Sequence, residues 1–357
     1  MADNNKRLVS LDVLRGITVA GMILVNDGYG DTFATLQHSK WNGMTPCDLV
    51  FPFFLFIMGI STYISLRKFQ FRATGQVIGK IIRRTVVIFA IGLFINWFAL
   101  LLKEGFSFEH LRIMGVMQRI ALCYCAASLF ALFVNHRYTL HVVFAILIAY
   151  TVILMVGNGY AQDATNIAAR IDNAVFGYDH LYHKSAIDPE GLLGTLPAIA
   201  HTLIGFFCAK VMMESKDKHA KVMMFLLAGG ILIVGGYLLQ FGLPLNKRIW
   251  SPSYVLMTCG LCATIQGLLM YVIDIQGRKR WTMPFLVFGM NPLFLYVLSE
   301  LMAIAFGHYG INDAIYGVIH SVVSNTYLAS LCFALTYVLI CGLVGYLLYR
   351  KKIYIKI

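Results

Sequence analysis

The chain of 357 residues is 59% hydrophobic and 13% charged, with a mean hydropathy of +0.73. A soluble globular chain is about half apolar and a quarter charged, so this balance excludes a soluble enzyme. It points to an all-α polytopic membrane protein, with residues 1–357 forming a single transmembrane domain. The net charge of +12 reads as basic loops on one membrane face, not as a nucleic-acid surface.

A helix needs about 20 mostly apolar residues to cross a bilayer. Ten such segments are predicted, at 8–26, 47–66, 82–102, 114–134, 138–156, 191–213, 220–242, 251–275, 282–305 and 326–349. The first carries Asp12 and Arg15 and lacks a small-residue cleavage site, so it is expected to stay as a helix and not to act as a signal peptide. Those two residues, three apart, fall on one helix face and can pair. Cys259 and Cys262 have a metal-like spacing but no partner pair, so they read as packing residues and no metal is predicted. The remaining cysteines suggest no disulfide framework. Lys and Arg divide 20 to 7 between the two faces, with Arg15 and Arg119 inside spans. The excess marks the cytoplasmic side. Both termini are therefore expected there, with the His38 loop and the loops 157–190 and 243–250 outside.

Polar residues gather toward the outer ends of the predicted spans. Asn26 closes the first and Asp48 opens the second. Gln118 and Arg119 lie one turn into the fourth, and Glu190 precedes the sixth. Lys247 leads into the eighth, Asn291 sits midway along the ninth, and Glu300 lies near that span's outer end. Ionisable groups at membrane depth must pair or line a wet cavity. An external cavity holding His38, Asp48, Glu190, Glu300, Arg119 and Lys247 is the economical reading. Asp48 also suits the cap of a helix N-terminus, and Arg119 suits a bridge between helices.

Several runs then carry a resemblance. They are Ser10-Leu11-Asp12-Val13-Leu14-Arg15-Gly16, Val25-Asn26, His38, Trp41-Asn42-Gly43 and Asp48-Leu49-Val50-Phe51-Pro52. Further along come Gly115-Val116-Met117-Gln118-Arg119-Ile120, Asp188-Pro189-Glu190-Gly191, Asn246-Lys247-Arg248-Ile249-Trp250 and Phe288-Gly289-Met290-Asn291. In that order, across nearly the whole chain, they resemble the heparan-α-glucosaminide N-acetyltransferase family. The resemblance implies an acetyl-CoA-dependent enzyme that acetylates the amine of a glucosamine unit. It implies His38 as the active histidine and Asn26 as its assistant. It also implies a bacterial member without the N-terminal lumenal domain of the animal enzymes, in the inner membrane, with the active-site loop facing the periplasm. The expected partners are acetyl-CoA, an amino sugar and the lipid bilayer, without nucleic acid; the reading leaves room for a homodimer.

Amine acetylation needs a deprotonated amine and a stabilised oxyanion. His38 can serve as general base, or it can take the acetyl group itself and pass it on. Asn26 can donate to the oxyanion, a contact worth about 3–4 kcal/mol in the barrier. Asp48, Glu190 or Glu300 can hold the cationic amine, with Arg119, Asn291 and Lys247 as further substrate contacts. Arg83, Arg84 and Arg15 are candidates for the CoA phosphates. Two other readings fit the composition: a transporter of an amino sugar or small metabolite, and an O-acetyltransferase acting on a surface glycan.

Overall fold

The computed structural model describes residues 8–182 and 185–355. The extreme termini, on which the expectation of two cytoplasmic ends partly rests, lie outside that range. Thirteen α-helices are present among the described residues: α1 (Val9–Asn26), α2 (Val50–Arg67), α3 (Gly75–Glu104), α4 (Val116–Phe133), α5 (Thr139–Val156), α6 (Ile167–Phe176), α7 (Thr195–Glu214), α8 (Lys218–Leu239), α9 (Pro252–Leu269), α10 (Met283–Met290), α11 (Pro292–His308), α12 (Ile311–Val322) and α13 (Thr326–Arg350). Nine of the helical segments are long and apolar enough to cross a membrane, and α10 with α11 would form a tenth span. The all-α, multi-pass reading holds.

That tenth span is broken: α10 and α11 meet at 85°. Pro292 lacks the N–H that would continue the helix, and it disfavours helical backbone at Asn291. The predicted ninth span at 282–305 is thus two helices. The third starts earlier than predicted. Thr74 caps α3 by accepting from the Val77 N–H, which brings Lys80 onto the helix instead of the preceding loop. The sixth begins at Thr195, four residues after the predicted start. Residues 157–190 also contain the short helix α6.

The central helices are α1, α2, α4 and α7, where 56–67% of the apolar window is buried. In α3, α5, α8 and α13 that share falls to 22–28%. Their exposed Phe94, Ile148, Ile231 and Leu339 present apolar surface of the kind that faces lipid. Close backbone approach sets two central crossings. A Cβ on Gly16 or Gly289 would run into the carbonyl of Phe285 or Asp12, locking α1 against α10. A Cβ on Gly59 or Gly205 would meet the carbonyl of Thr202 or Phe56, locking α2 against α7.

The alternating helices give the bundle two ends. One carries the loops 27–49, 105–115, 157–194 and 240–251, and hence His38. The other carries the turn between α2 and α3, the α10–α11 break and the tail after α13.

Candidate functional site

At the His38 end, Thr45 opens a short 3-10 helix, Pro46–Leu49, that leads straight into α2. Its capping box is formed by Thr45 and Asp48. Asp48 is wholly buried, and both its oxygens are in use. One accepts from the Ser39 N–H, the Thr45 N–H and the Thr45 hydroxyl, each at 3.1 Å. The other faces His38 Nδ1 at 2.8 Å and Lys247 Nζ at 3.4 Å. The capping role anticipated for Asp48 is present, and the same carboxylate holds the imidazole from behind.

Lys247 arrives from the loop before α9. That loop is stitched to the His38 loop by Gly43 N–H to Leu245 O at 2.7 Å and by Asn246 Nδ2 to Asn42 Oδ1 at 3.2 Å. Nζ lies 2.9 Å from Nδ1 and 3.3 Å from Nε2 of His38. The Cys47 thiol packs against the same ring, 3.0 Å from Nδ1. The His38 side chain is 49% exposed, so the ring is anchored on one edge and open on the other. With Nδ1–H donated to Asp48, Nε2 carries the lone pair and is the nitrogen to which the Lys247 ammonium can donate, at 3.3 Å; a buried carboxylate fixes the tautomer of a histidine in this way.

A second polar cluster stands nearby. Arg112 grips Asp188 through Nε at 3.1 Å and NH2 at 2.6 Å, and its NH2 reaches Glu190 at 2.7 Å. Burial raises the Glu190 pKa, but Arg112, Arg119 and Lys247 outweigh it and hold the carboxyl below its usual range. For Arg112 the burial penalty is likewise outweighed, by Glu190 and Asp188, so its guanidinium stays charged. Arg119 is fully buried, donates to the Gly191 carbonyl at 2.9 Å and lies over the Trp250 ring at 5.1 Å. Asp172 receives the Leu192 N–H at 2.8 Å. Burial, aided by Asp188, pushes its pKa up to about 6.

Asn26 is exposed at the end of α1 and donates to Glu300 of α11 at 2.9 Å. The neighbouring Asp27 is buried, and burial together with Glu300 pushes its carboxyl up to about 8. Asn26, His38, Asp48, Glu190, Arg119, Lys247 and Glu300 therefore share one end of the bundle.

Four candidates lie elsewhere. Asn291, expected midway along a span with the others, sits at the α10–α11 break. Its amide binds the chain after α13, donating to Ile353 O at 3.0 Å and accepting from Ile355 N–H at 2.8 Å. Its amide is committed to the tail there, at the end away from His38. Arg15 also sits toward that end, 3.2 Å from Asp12 and 2.9 Å from Ser61 Oγ; the predicted pairing with Asp12 is present. Arg83 is exposed on α3, and Arg84 lies over the Tyr124 ring at 4.6 Å.

Sequence reasoning passed over Arg112, Asp27 and Cys47 as site residues. Cys47 and Asp27 are direct sequence neighbours of Asp48 and Asn26, which was a usable signal. Arg112 is 76 residues from Asp188, and only its opposite charge hinted at the pair.

Residues 7–241 match the family model described as "Heparan-alpha-glucosaminide N-acetyltransferase, catalytic". That stretch includes His38, Asn26, Asp48, Arg119 and Glu190, and ends before Lys247 and Glu300. The chain is also similar to the human heparan-alpha-glucosaminide N-acetyltransferase, 28% identical over 413 residues, covering 98% of this chain and 60% of the human protein. The mouse protein of the same name is 29% identical over 358 residues, covering 83% of this chain and 54% of its own length. The chain thus matches little more than half the length of either relative.

Proposed function

The chain belongs to the heparan-alpha-glucosaminide N-acetyltransferase catalytic family, and from that premise we propose that it is a transmembrane N-acetyltransferase. It moves acetyl from cytoplasmic acetyl-CoA to the amine of glucosamine, or of a glucosamine-ended oligosaccharide, on the other side of the inner membrane. The observation that carries this reading is the anchored, half-exposed His38, held by a buried carboxylate and faced by an ammonium.

In the direct route His38 Nε2 takes a proton from the sugar's ammonium. The freed amine bonds to the thioester carbonyl carbon. The C–S bond then breaks, and the departing thiolate takes the second nitrogen proton, giving the amide and free CoA. In the relay route Nε2 attacks the thioester first and the CoA thiolate leaves, taking a proton from the sugar's ammonium; the freed amine then displaces imidazole from the acetyl carbon, and Nε2 takes the second nitrogen proton. In both, Asp48 keeps the lone pair on Nε2, and the substrate takes the place of the Lys247 ammonium there. Glu190 and Glu300 supply negative charge for the cationic acceptor, and Asn26 supplies an N–H for the oxyanion. Acetyl-CoA consumption by membranes holding the protein, measured with and without glucosamine, tests the reading. Consumption that does not depend on a free amine would favour O-acetylation, and none at all would favour transport.

The side of the membrane rests on charge. Arg67, Lys80, Arg83, Arg84 and Arg350 all lie toward the end away from His38. A cysteine at Ser324, exposed in the loop before α13, is expected to react with an impermeant maleimide applied outside, above the labelling of the parent protein. A cysteine at exposed Arg72 should not. The reverse pattern would turn the molecule over and place His38 in the cytoplasm.

The same basic end is where cytoplasmic CoA phosphates would meet the protein. Arg83→Ala with Arg84→Ala is expected to raise the KM for acetyl-CoA several-fold and leave that for glucosamine unchanged. If neither constant moves, these arginines serve orientation alone and the donor's phosphates are held by other residues.

A further inference from the structure

Between α3, α4 and α11, at the His38 end, lies a small open pocket of about 100 Å³. Glu300, Gln118, Asn96, Arg112 and Tyr296 line it. Gln118 is 1% exposed, yet its Nε2 makes no hydrogen bond among the described residues. A buried amide donor left unpaired costs roughly 1–3 kcal/mol, so a group this deep implies something that comes to meet it. The helices around it are cut to admit it. A Cβ on Gly92 of α3 or on Gly115 before α4 would collide with the Gln118 side chain. Asn96 donates to the Arg112 carbonyl at 2.8 Å, and Arg112 is committed to Asp188 and Glu190. Glu300 already accepts from Asn26 and Tyr296, and its carboxylate has room for a further donor, while the Gln118 N–H stands as an unmatched donor.

We propose that Glu300 and Gln118 together form a subsite for a vicinal amino alcohol, the amine-bearing edge of the acceptor sugar. Glu300 accepts from the ammonium, and the Gln118 Nε2–H donates to the oxygen of a hydroxyl on an adjacent carbon. The pair reads charge and neighbouring hydroxyl at once, so a simple alkylamine or a sugar without an amine satisfies only half of it. Asn26 ties the subsite to the reaction centre, because the amide that the resemblance assigns to catalysis already rests on Glu300. This inference rests on the N-acetyltransferase reading for its substrate. It adds Gln118 as a specificity residue.

The test is binding, measured by calorimetry on the purified full chain in detergent, with no turnover required. The probes are trans-2-aminocyclohexanol, cyclohexylamine and glucosamine. Wild type should prefer the amino alcohol over cyclohexylamine by about tenfold, the ratio that one net hydrogen bond supports. Gln118→Leu should bring that ratio to about one, and Gly92→Ala, which displaces the same amide, should lower it too. Glu300→Gln should weaken both amines alike. A ratio of affinities is insensitive to a general loss of folded protein, which scales both titrations equally. A preference that survives intact in Gln118→Leu overturns the proposal. So does an effect of that variant on acetyl-CoA affinity with amine affinity unchanged, which would give the pocket to the donor's pantetheine arm. Failure of wild type to bind any of the amines overturns it as well. If the amines bind as expected but no acetyl is ever transferred, the subsite stands and the transferase reading falls.

Discussion

His38→Ala is expected to lower acetylation of glucosamine by at least about 10³-fold while the protein stays folded and membrane-inserted. General acid–base catalysis is typically worth about 10²–10⁴ in rate, and a residue that carries the acetyl group itself would cost more. The fold should not suffer, because the ring is 49% exposed and sits on a surface loop. Its partner Asp48 keeps four other donors: the Ser39 and Thr45 N–H groups, the Thr45 hydroxyl and the Lys247 ammonium. Asn26→Ala should act differently. It removes an oxyanion donor, with a loss of about 10²–10³ in the chemical step, and leaves the imidazole intact. Wild-type protein mixed with acetyl-CoA alone then separates the two routes. A transient acetyl group found by mass spectrometry on wild type and absent from His38→Ala marks the relay. A His38-dependent reaction with no such species marks direct transfer. Near-normal acetylation by His38→Ala would remove His38 from the chemistry altogether.

Much of this molecule can be read from its residues because membranes restrict what a chain can do. A backbone crossing lipid must satisfy its own hydrogen bonds, so a long apolar run becomes a helix, and nine unbroken spans were legible on that ground. The tenth was legible only as an apolar run. The Met290-Asn291-Pro292 sequence carried the break, but hydropathy averages over it. Asn291 was misplaced for the same reason: a polar residue within an apolar run reads as a cavity residue, whereas its amide is satisfied by a tail 62 residues further along. The early start of α3 went unseen because Gly75, Gln76, Gly79 and Lys80 interrupt the apolar run there, and Thr74 as the cap was the available sign. In the site, His38 and Asp48 are ten residues apart and could be linked from one stretch of sequence. The Arg112 cluster joins residues more than seventy apart, and no local periodicity reports such a meeting. The basic residue beside His38 could be named as Lys247, but its contact with Nδ1 depends on how two loops are stitched, which only the folded chain supplies.

Asp48→Asn should be nearly as damaging to catalysis as loss of His38 and far less damaging to stability than Asp48→Ala. Three donors converge on the carboxylate oxygen that faces Thr45 and Ser39. In the asparagine variant that position must be taken by the amide oxygen, because an NH2 group there would meet three donors with a fourth. The amide NH2 is then turned toward His38 Nδ1. The imidazole can accept only by moving its proton to Nε2, the nitrogen that must carry the lone pair. The resulting wrong tautomer should cut kcat by about 10²–10⁴, the upper figure being the loss seen when the same exchange is made behind a serine-protease histidine. The cap survives, so the melting temperature should change little. Asp48→Ala instead strands the loop N–H groups and the Lys247 ammonium, and removing one partner of a buried pair costs about 3–5 kcal/mol. The two variants therefore separate catalysis from folding at a single position. Lys247 sharpens the test, since in Asp48→Asn its ammonium faces an NH2 group in place of a carboxylate oxygen 3.4 Å away. Adding Lys247→Met to Asp48→Asn should then cost less than it does in wild type, a non-additivity expected only of groups in contact. Strict additivity, or activity within threefold of wild type in Asp48→Asn, would show that the carboxylate caps the helix and leaves the choice of tautomer to something else.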